Sequence, residues 1–220
     1  MSASLPDAMI FDVDGTLFKT ESVLDEAYEQ SFQEVKNQGL YTGPVPPVQQ
    51  FHACLGMLLD DIWNKILPEA SKAARDFLNE RLVVLQVENL KRGKGQLFPH
   101  VKETLENLHT KGIRLFVASN GLEDYVKGVV KYTGLGSVIE KSYSAGEYET
   151  PSKVDLVRLI LEEQKLQNPW MVGDRYSDVE AGVKNGLYVV GCGYSSFKDH
   201  HEIEDANVII SNFDEILQLL

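Results

Sequence analysis

The sequence predicts an α/β fold, in which a Rossmann-like parallel sheet carries helices on both faces and an all-helical segment is inserted after the first strand. Short apolar runs alternate with helical patterns in the second half of the chain, while residues 20–95 show no strand-like alternation. Strands that alternate with helices form βαβ units, whose parallel strands are covered on both faces. We therefore place an α/β core at residues 1–17 and 97–220, and a helical domain at residues 18–96.

The first half of the chain contains one predicted strand followed by helices. AMIFD at 8–12 predicts a short buried strand, and turn-forming residues follow it. Helical patterns cover 22–38 and 48–92, separated by TGPVPP and interrupted near Leu55–Met57 and at Pro68. A stripe of apolar residues in the second pattern indicates packing among helices; it comprises Leu78, Leu82, Leu85 and Val87.

From Gly93 onwards the pattern changes to alternating elements. The predicted strands are 113–118, 138–143 (a weak one), 169–173, 187–192 and 207–210. The predicted helices are 99–111, 122–132, 152–164, 176–185 and 212–220.

Composition and charge limit the class of partner. The 220 residues carry a net charge of −12, which argues against a nucleic-acid binder because that function needs a basic face. A small anionic substrate remains compatible if a metal ion or a well-placed lysine meets it. No run of 18 apolar residues predicts a membrane span, and no secretory signal is visible. Cys54 and Cys192 form no CxxC motif, so we expect reduced thiols in a cytoplasmic protein. The sequence contains no signal for the oligomeric state, and a monomer is the default expectation.

Polar residues come directly after several of the predicted strands. They are Asp12, Asp14 and Thr16 after the first strand, Ser119, Asn120 and Gly121 after the second, Lys153 at the helix after the third, and Asp174 and Asp178 after the fourth. In an open parallel sheet, ligands bind beyond the carboxyl ends of the strands. We therefore expect these groups to form one site.

The residue types at this edge favour phosphate chemistry. Four aspartates brought together would repel one another without a cation, and hard oxygen ligands suit Mg²⁺. Lys153 supplies a second positive charge, while Ser119 and the backbone amides of 119–121 could donate hydrogen bonds to phosphate oxygens. Alternation along the first strand puts Asp12 and Asp14 on the same side.

Four motifs in this order resemble those of the haloacid dehalogenase-like hydrolase superfamily: DVDGT, ASNG, a lysine ahead of a helix, and GDRYSD. The helical segment resembles the cap of the branch that includes phosphoglycolate phosphatase and β-phosphoglucomutase. The resemblance implies that Asp12 is the nucleophile and Asp14 the general acid and base. It implies that Ser119 and Lys153 bind phosphate and that Lys153 also orients Asp12. It implies a Mg²⁺ site formed by Asp12, the main chain of Asp14 and Asp174, with Asp178 supporting it directly, through water or through Lys153.

One motif departs from the pattern of many relatives, which carry lysine directly before proline. Here Pro151 and Ser152 precede Lys153, and Lys141 is the competing candidate. Lys153 is preferred because it stands where a helix begins. Gly56 falls where relatives carry a cap loop that faces the active site.

The resemblance implies a Mg²⁺-dependent phosphatase that hydrolyses a small organic phosphate monoester through an aspartyl-phosphate. A phosphomutase of the β-phosphoglucomutase type is the alternative enzyme, and a non-catalytic binding protein is the alternative from another class. Dehalogenation is disfavoured, because relatives that perform it lack the second aspartate and no acid is needed to protonate a halide.

Overall fold

A computed structural model describes residues 5–195 and 200–220 and contains one six-stranded sheet with the strand order β3-β2-β1-β4-β5-β6. Every pairing is parallel. The strands are β1 (Ala8–Phe11), β2 (Arg114–Ser119), β3 (Lys141–Ser144), β4 (Trp170–Gly173), β5 (Tyr188–Cys192) and β6 (Val208–Ile210). This sheet confirms the predicted α/β fold class.

Strand β1 lies in the middle of the sheet. Its Ile10 is opposite Phe116 of β2 and Met171 of β4, and all four of its residues are fully buried. A strand buried on both faces needs apolar residues at every position, which explains the unbroken run AMIF. The chain that leaves β1 therefore emerges at the centre of the sheet's carboxyl edge.

Helices cover both faces of the sheet, and each face has its own apolar core. The helices outside the helical layer described below are α5 (Val101–Thr110), α6 (Glu123–Tyr132), α7 (Ala145–Tyr148), α8 (Lys153–Gln164) and α9 (Tyr176–Lys184). Leu105 and Val129, from α5 and α6, belong to the core on one face. Val157 and Val179, from α8 and α9, belong to the core on the other.

The segment between β1 and α5 forms a separate helical layer. It contains α1 (Glu21–Asn37), α2 (Val48–His52), α3 (Leu59–Ile66) and α4 (Lys72–Lys91). A third apolar cluster lies within this layer, around the aromatic rings of Tyr28, Phe32, Phe51 and Trp63. A layer with its own core agrees with the predicted helical insertion. The domain limits at residues 18 and 96 stay a prediction, and residues 1–4 and 196–199 of the predicted core lie outside the described residues.

Three elements differ from the sequence-based prediction. Strand β3 begins at Lys141 instead of 138, because the preceding residues form a 3₁₀ turn at Leu135–Ser137 and a short connection. The single turn α7 was not predicted, since four residues are too few to show helical periodicity. The C-terminal helix is a 3₁₀ helix at Phe213–Leu219, in which the buried Phe213 and Ile216 are three residues apart, as 3₁₀ geometry requires for side chains on one side.

Within the described ranges, none of the helices has the length and apolar composition that crossing a membrane requires. Cys54 is buried in the helical layer and Cys192 at the end of β5, and both are free thiols, as the sequence predicted.

Candidate active site

The two acids after β1 face one cavity from the centre of the sheet edge. Asp12 is buried, and its backbone N–H donates to the Val172 carbonyl at 2.9 Å, which continues the pairing with β4. Asp14 is partly buried and, like Asp12, lines the cavity between the sheet edge and the helical layer. Their common side agrees with the alternation that the sequence predicts.

Lys153 is the cation of the site. It is the first residue of α8, and its Nζ donates to Asp12 Oδ1 at 2.5 Å and to Asp178 Oδ1 at 2.6 Å. The side chain is about 1% exposed, so these two carboxylates hold a buried charge. The competing candidate, Lys141, instead pairs with Glu163 at the surface. The geometry thus places Lys153, and not Lys141, at the predicted site.

Asp178 is held by hydrogen bonds through both of its oxygens. Oδ1 accepts from Lys153, and Oδ2 accepts from the backbone N–H groups of Asp174 and Arg175 at 3.0 and 2.9 Å, which caps the start of α9. A Cβ at Gly173 would lie 2.2 Å from Asp178 Cγ, so only glycine fits there. This arrangement favours the indirect role, through Lys153, among the roles expected for Asp178.

Asp174 lies against the loop that follows β1. Its Oδ1 accepts a hydrogen bond from the Thr16 hydroxyl at 2.9 Å. Gly15 has a φ of +84°, and a Cβ there would come within 2.2 Å of Asp174 Oδ2, so glycine is required for two reasons. Because the Thr16 side chain is engaged with Asp174, its predicted contact with substrate stays a prediction.

Three carboxylates in this group are close enough to hold one metal ion. Asp12, Asp174 and Asp178 each have an oxygen within 4.8 Å of the others, and all three are buried. Burial raises the pKa of Asp12 well above its usual value; the Lys153 ammonium opposes that rise, whereas Asp178 and Asp174 add to it. Burial and then the charge of Asp178 raise the pKa of Asp174 to about 7.

A hard divalent cation fits this donor set. Burial alone would lower the pKa of Lys153, but Asp12 and Asp178 raise it above its ordinary value, so the side chain stays charged. One ammonium does not balance three carboxylates. The pKa values of Asp12 and Asp174 are raised mainly by burial, and repulsion from the neighbouring carboxylates adds to the rise. Oxygen donors without thiolate or imidazole suit hard cations such as Mg²⁺, Ca²⁺ and Mn²⁺.

The segment after β2 forms another side of the cavity. Ser119 is buried, and its Oγ accepts from the Gly121 N–H at 3.1 Å. Asn120 Nδ2 donates to the Gly56 carbonyl at 2.7 Å, which ties this segment to the helical layer. All three residues of the predicted group line the cavity, as does Gly56. One amide hydrogen of Asn120 is thus used within the protein.

The cavity has a polar end and an apolar wall. Its volume is about 60 Å³. Asp12, Asp14, Ser119 and Asn120 form the polar end. Side chains of the helical layer form most of the wall, among them Phe51, Leu55, Met57, Leu59, Ile62 and Leu82.

Sequence reasoning missed three polar residues of the site. Thr20 and Tyr125 donate their hydroxyl hydrogens to Asp14 Oδ1 at 2.6 and 2.5 Å. Gln86 is a polar residue in the apolar wall, and it is about 6% exposed. A signal for Gln86 was present, because it continues the spacing of Leu78 and Leu82 along one helix face. No comparable pattern marks Thr20 or Tyr125.

Arg175 has a structural role. Its Nε lies 3.0 Å from Glu202 Oε2, and its Nη2 donates to the Ala53 carbonyl at 3.3 Å. The side chain thereby joins the loop before α9 to the segment around Gly56.

Comparisons with known proteins identify the family of this chain. The family model of haloacid dehalogenase-like hydrolases matches residues 9–192. Pyrophosphatase PpaX of Oceanobacillus iheyensis is 25% identical over 92% of this chain and 94% of its own length. A soluble P-type ATPase-like phosphatase of Methanocaldococcus jannaschii is 30% identical over 57% of this chain, which covers only 43% of that relative.

A solved structure supports the fold assignment. The crystal structure of a predicted phosphoglycolate phosphatase from Haemophilus somnus superposes with a TM-score of 0.84 over 97% of both chains, at 20% identity. At that identity the similarity concerns the fold, which includes the sheet and the helices around it. The family model matches most of the sequence, and the fold is consistent with that match. This chain therefore belongs to the haloacid dehalogenase-like hydrolases.

Proposed function

We propose that this hydrolase is a Mg²⁺-dependent phosphatase, which hydrolyses a small organic phosphate monoester through an aspartyl-phosphate on Asp12. The observation that carries the proposal is the arrangement of Asp12 and Asp14 on one cavity, with Lys153 bound to Asp12. The family match and the phosphatase relatives support the same class of reaction.

Asp12 would begin the reaction as the nucleophile. Lys153 fixes Oδ1, so the carboxylate has a defined orientation when one of its oxygens attacks phosphorus. A P–O bond forms to Asp12 as the P–O bond to the leaving alcohol breaks. Ser119 and the backbone amides of 119–121 would donate hydrogen bonds to the phosphoryl oxygens.

Asp14 would move the protons. Its carboxyl group would give a proton to the departing alkoxide, and the resulting carboxylate would then accept a proton from the attacking water. Thr20 and Tyr125 hold Oδ1 for both steps. Hydrolysis of the acyl-phosphate would release inorganic phosphate and restore the free Asp12 carboxylate.

Asp12, Asp174 and the main chain of Asp14 would hold the Mg²⁺, and Asp178 would keep Lys153 and Asp174 in place. When bound, the ion supplies positive charge that neutralises the carboxylates and the phosphoryl group. We further propose that residues 18–96 act as a cap that covers the site, and that the enzyme is a cytoplasmic monomer whose partner is a small phosphorylated metabolite rather than nucleic acid or membrane.

A phosphomutase of the β-phosphoglucomutase type would return the phosphoryl group to a sugar hydroxyl instead of water. A sugar needs many hydrogen-bonding groups around it, whereas the helical side of this cavity is mainly apolar. An apolar wall is a poor binding surface for a sugar, so it favours the phosphatase over the sugar phosphomutase. Assays that follow inorganic phosphate and isomerised sugar phosphate side by side separate the two reactions.

Replacing the nucleophile tests the proposal directly. We expect Asp12→Asn to lower kcat by roughly a thousandfold or more, because an amide cannot form the phosphoryl-enzyme. Phosphate release from a panel of esters with Mg²⁺ measures this, and circular dichroism checks the fold. Asp124→Asn, on the exposed surface of α6, is the matched control and should retain activity. Full turnover by the Asp12 variant would refute the mechanism.

A further inference from the structure

The cavity beside the two acids differs in character between its ends. The end at Asp12 is polar and charged, whereas the wall contributed by α2, α3 and α4 is made largely of apolar side chains, including Phe51 and Ile62. In the proposed reaction the phosphoryl group lies at Asp12, so the leaving group extends towards this wall. The chemistry of the wall therefore selects the leaving group.

The described residues that line the cavity include no lysine, arginine or histidine. Lys153 is already paired with Asp12 and Asp178. Near the wall, Arg175 pairs with Glu202, and His52 Nε2 lies 2.7 Å from Asp25 Oδ1. A second anionic group on the substrate would thus leave water for an apolar wall without a countercharge, at a large cost in free energy.

Gln86 is the exception on this wall. Its side chain is more than nine-tenths buried and lines the cavity, and no hydrogen bond to its amide is formed within residues 5–195 and 200–220. Its amide atoms are accessible from the cavity, so a bound ligand can form hydrogen bonds with them. The amide therefore provides one donor and one acceptor on an otherwise apolar surface.

We propose, on the basis of the phosphatase function above, that the substrate is the phosphate ester of a small uncharged alcohol. Its leaving group is mainly apolar and carries one hydrogen-bonding group, which pairs with the Gln86 carboxamide. Gln86 is then a specificity-determining residue. Substrates with a second anionic group, such as the ester phosphoglycolate and the anhydride pyrophosphate, are poor substrates.

An isosteric pair of esters tests the charge preference with the wild-type enzyme. Phosphoglycolate and its amide, glycolamide phosphate, have nearly the same shape and differ by one negative charge. We expect kcat/KM, measured by phosphate release with Mg²⁺, to be at least tenfold higher for the amide. Equal values, or a preference for phosphoglycolate, would overturn the inference.

Substitution of Gln86 tests the hydrogen bond. The substrates are a short series of ω-hydroxyalkyl phosphates and the n-alkyl phosphates in which a methyl group replaces the hydroxyl. The wild type should prefer the hydroxylated ester at the length that reaches Gln86, and Gln86→Leu should reduce that preference about tenfold. Gln33→Leu, at an exposed position of α1, is the matched control and should leave it unchanged. Gln86→Leu adds apolar surface to an apolar wall, so we expect it to fold.

The results separate this inference from the proposed function. Hydrolysis of the esters with no charge preference, or with the same hydroxyl preference in Gln86→Leu, overturns the inference and leaves the phosphatase intact. Failure to release phosphate from any ester overturns both. The charge comparison requires no variant, so a folding defect in Gln86→Leu would still leave a decisive result.

Discussion

Two hydroxyl groups orient the carboxylate of Asp14. Thr20 Oγ1 and Tyr125 Oη both donate to Oδ1, which leaves the second oxygen of the carboxylate for the reacting groups. Burial raises the pKa of Asp14, and the hydrogen bonds from Thr20 and Tyr125 oppose that rise. A general acid and base needs a pKa near the working pH, so these hydroxyls adjust the proton affinity as well as the position of Asp14.

Removing one hydroxyl should therefore shift a pH profile. Tyr125→Phe deletes a donor to the Asp14 carboxylate, so its pKa should rise by up to roughly one unit. The first step needs protonated Asp14, and a higher pKa keeps it protonated to higher pH. We expect the basic limb of the profile of kcat/KM against pH to shift to higher pH. Tyr132→Phe, at the far end of α6, should leave the profile in place, and an unshifted limb in Tyr125→Phe would contradict this role.

Whether a site residue could be predicted from the sequence depended on how its side chain reaches the site. Asp12 and Asp174 directly follow parallel strands, so their meeting at one edge follows from the strand pattern. Tyr125 reaches Asp14 because α6 packs with a particular rotation and depth, and Thr20 reaches it because of the conformation of the loop between β1 and α1. Local sequence contains no such information. Gln86 was a detectable exception, because a polar residue interrupts an apolar face.

At the scale of elements, two side chains connect the sheet edge to the helical layer. Asn120 donates to the Gly56 carbonyl, and Arg175 donates to the Ala53 carbonyl. Both acceptors lie in the segment between α2 and α3, which borders the cavity. This segment is thus held in its position over the two acids partly by hydrogen bonds from loops that follow β2 and β4.

Loss of the Asn120 contact should loosen that segment. We expect Asn120→Ala to raise amide hydrogen exchange in residues 53–57 about fivefold to tenfold, because one buried hydrogen bond contributes on the order of 1 kcal/mol. Exchange measured by mass spectrometry in this segment tests the expectation. Asn64→Ala, exposed on α3, is the control. Unchanged exchange in the Asn120 variant would mean that apolar packing alone positions the segment.

The elements themselves were largely predictable from the chain. Apolar runs marked the central strands β1, β2, β4 and β5, since strands buried on both faces need them, and periodicity marked the longer helices. The edge strand β3, with the sequence KSYS, gave only a weak signal. The elements that were missed or assigned incorrectly are short or irregular: α7 has one turn, and the last helix is a 3₁₀ helix. The order of the strands in the sheet, by contrast, depends on long-range contacts, and only the general rules for parallel sheets limited it.

For the whole molecule, the carboxylate cluster is a source of instability when no cation balances it. The chain carries a net charge of −12, and three aspartates are buried at the centre of the sheet edge. Two of them, Asp12 and Asp178, form ion pairs with Lys153. The pKa of Asp174 is raised to about 7, and those of Asp12 and Asp14 are also raised. Between the unfolded and folded pKa values, the folded protein binds more protons than the unfolded chain. Stability without metal therefore falls as pH rises through this range, from about 4 to about 7.

Divalent cations should reverse that trend, because they bind the same oxygens in competition with protons. With EDTA we expect Tm to decrease from about pH 5.5 to about pH 8. Saturating Mg²⁺ should raise Tm by roughly 5 °C or more at pH 8 and by clearly less at pH 5.5. Asp174→Asn should show a shallower decrease with EDTA and a smaller response to Mg²⁺, since it removes both a charge and a ligand. Differential scanning calorimetry measures all of these values without reference to catalysis. A Mg²⁺ effect that is absent at pH 8, or larger at pH 5.5, would show that the buried aspartates do not bind the ion.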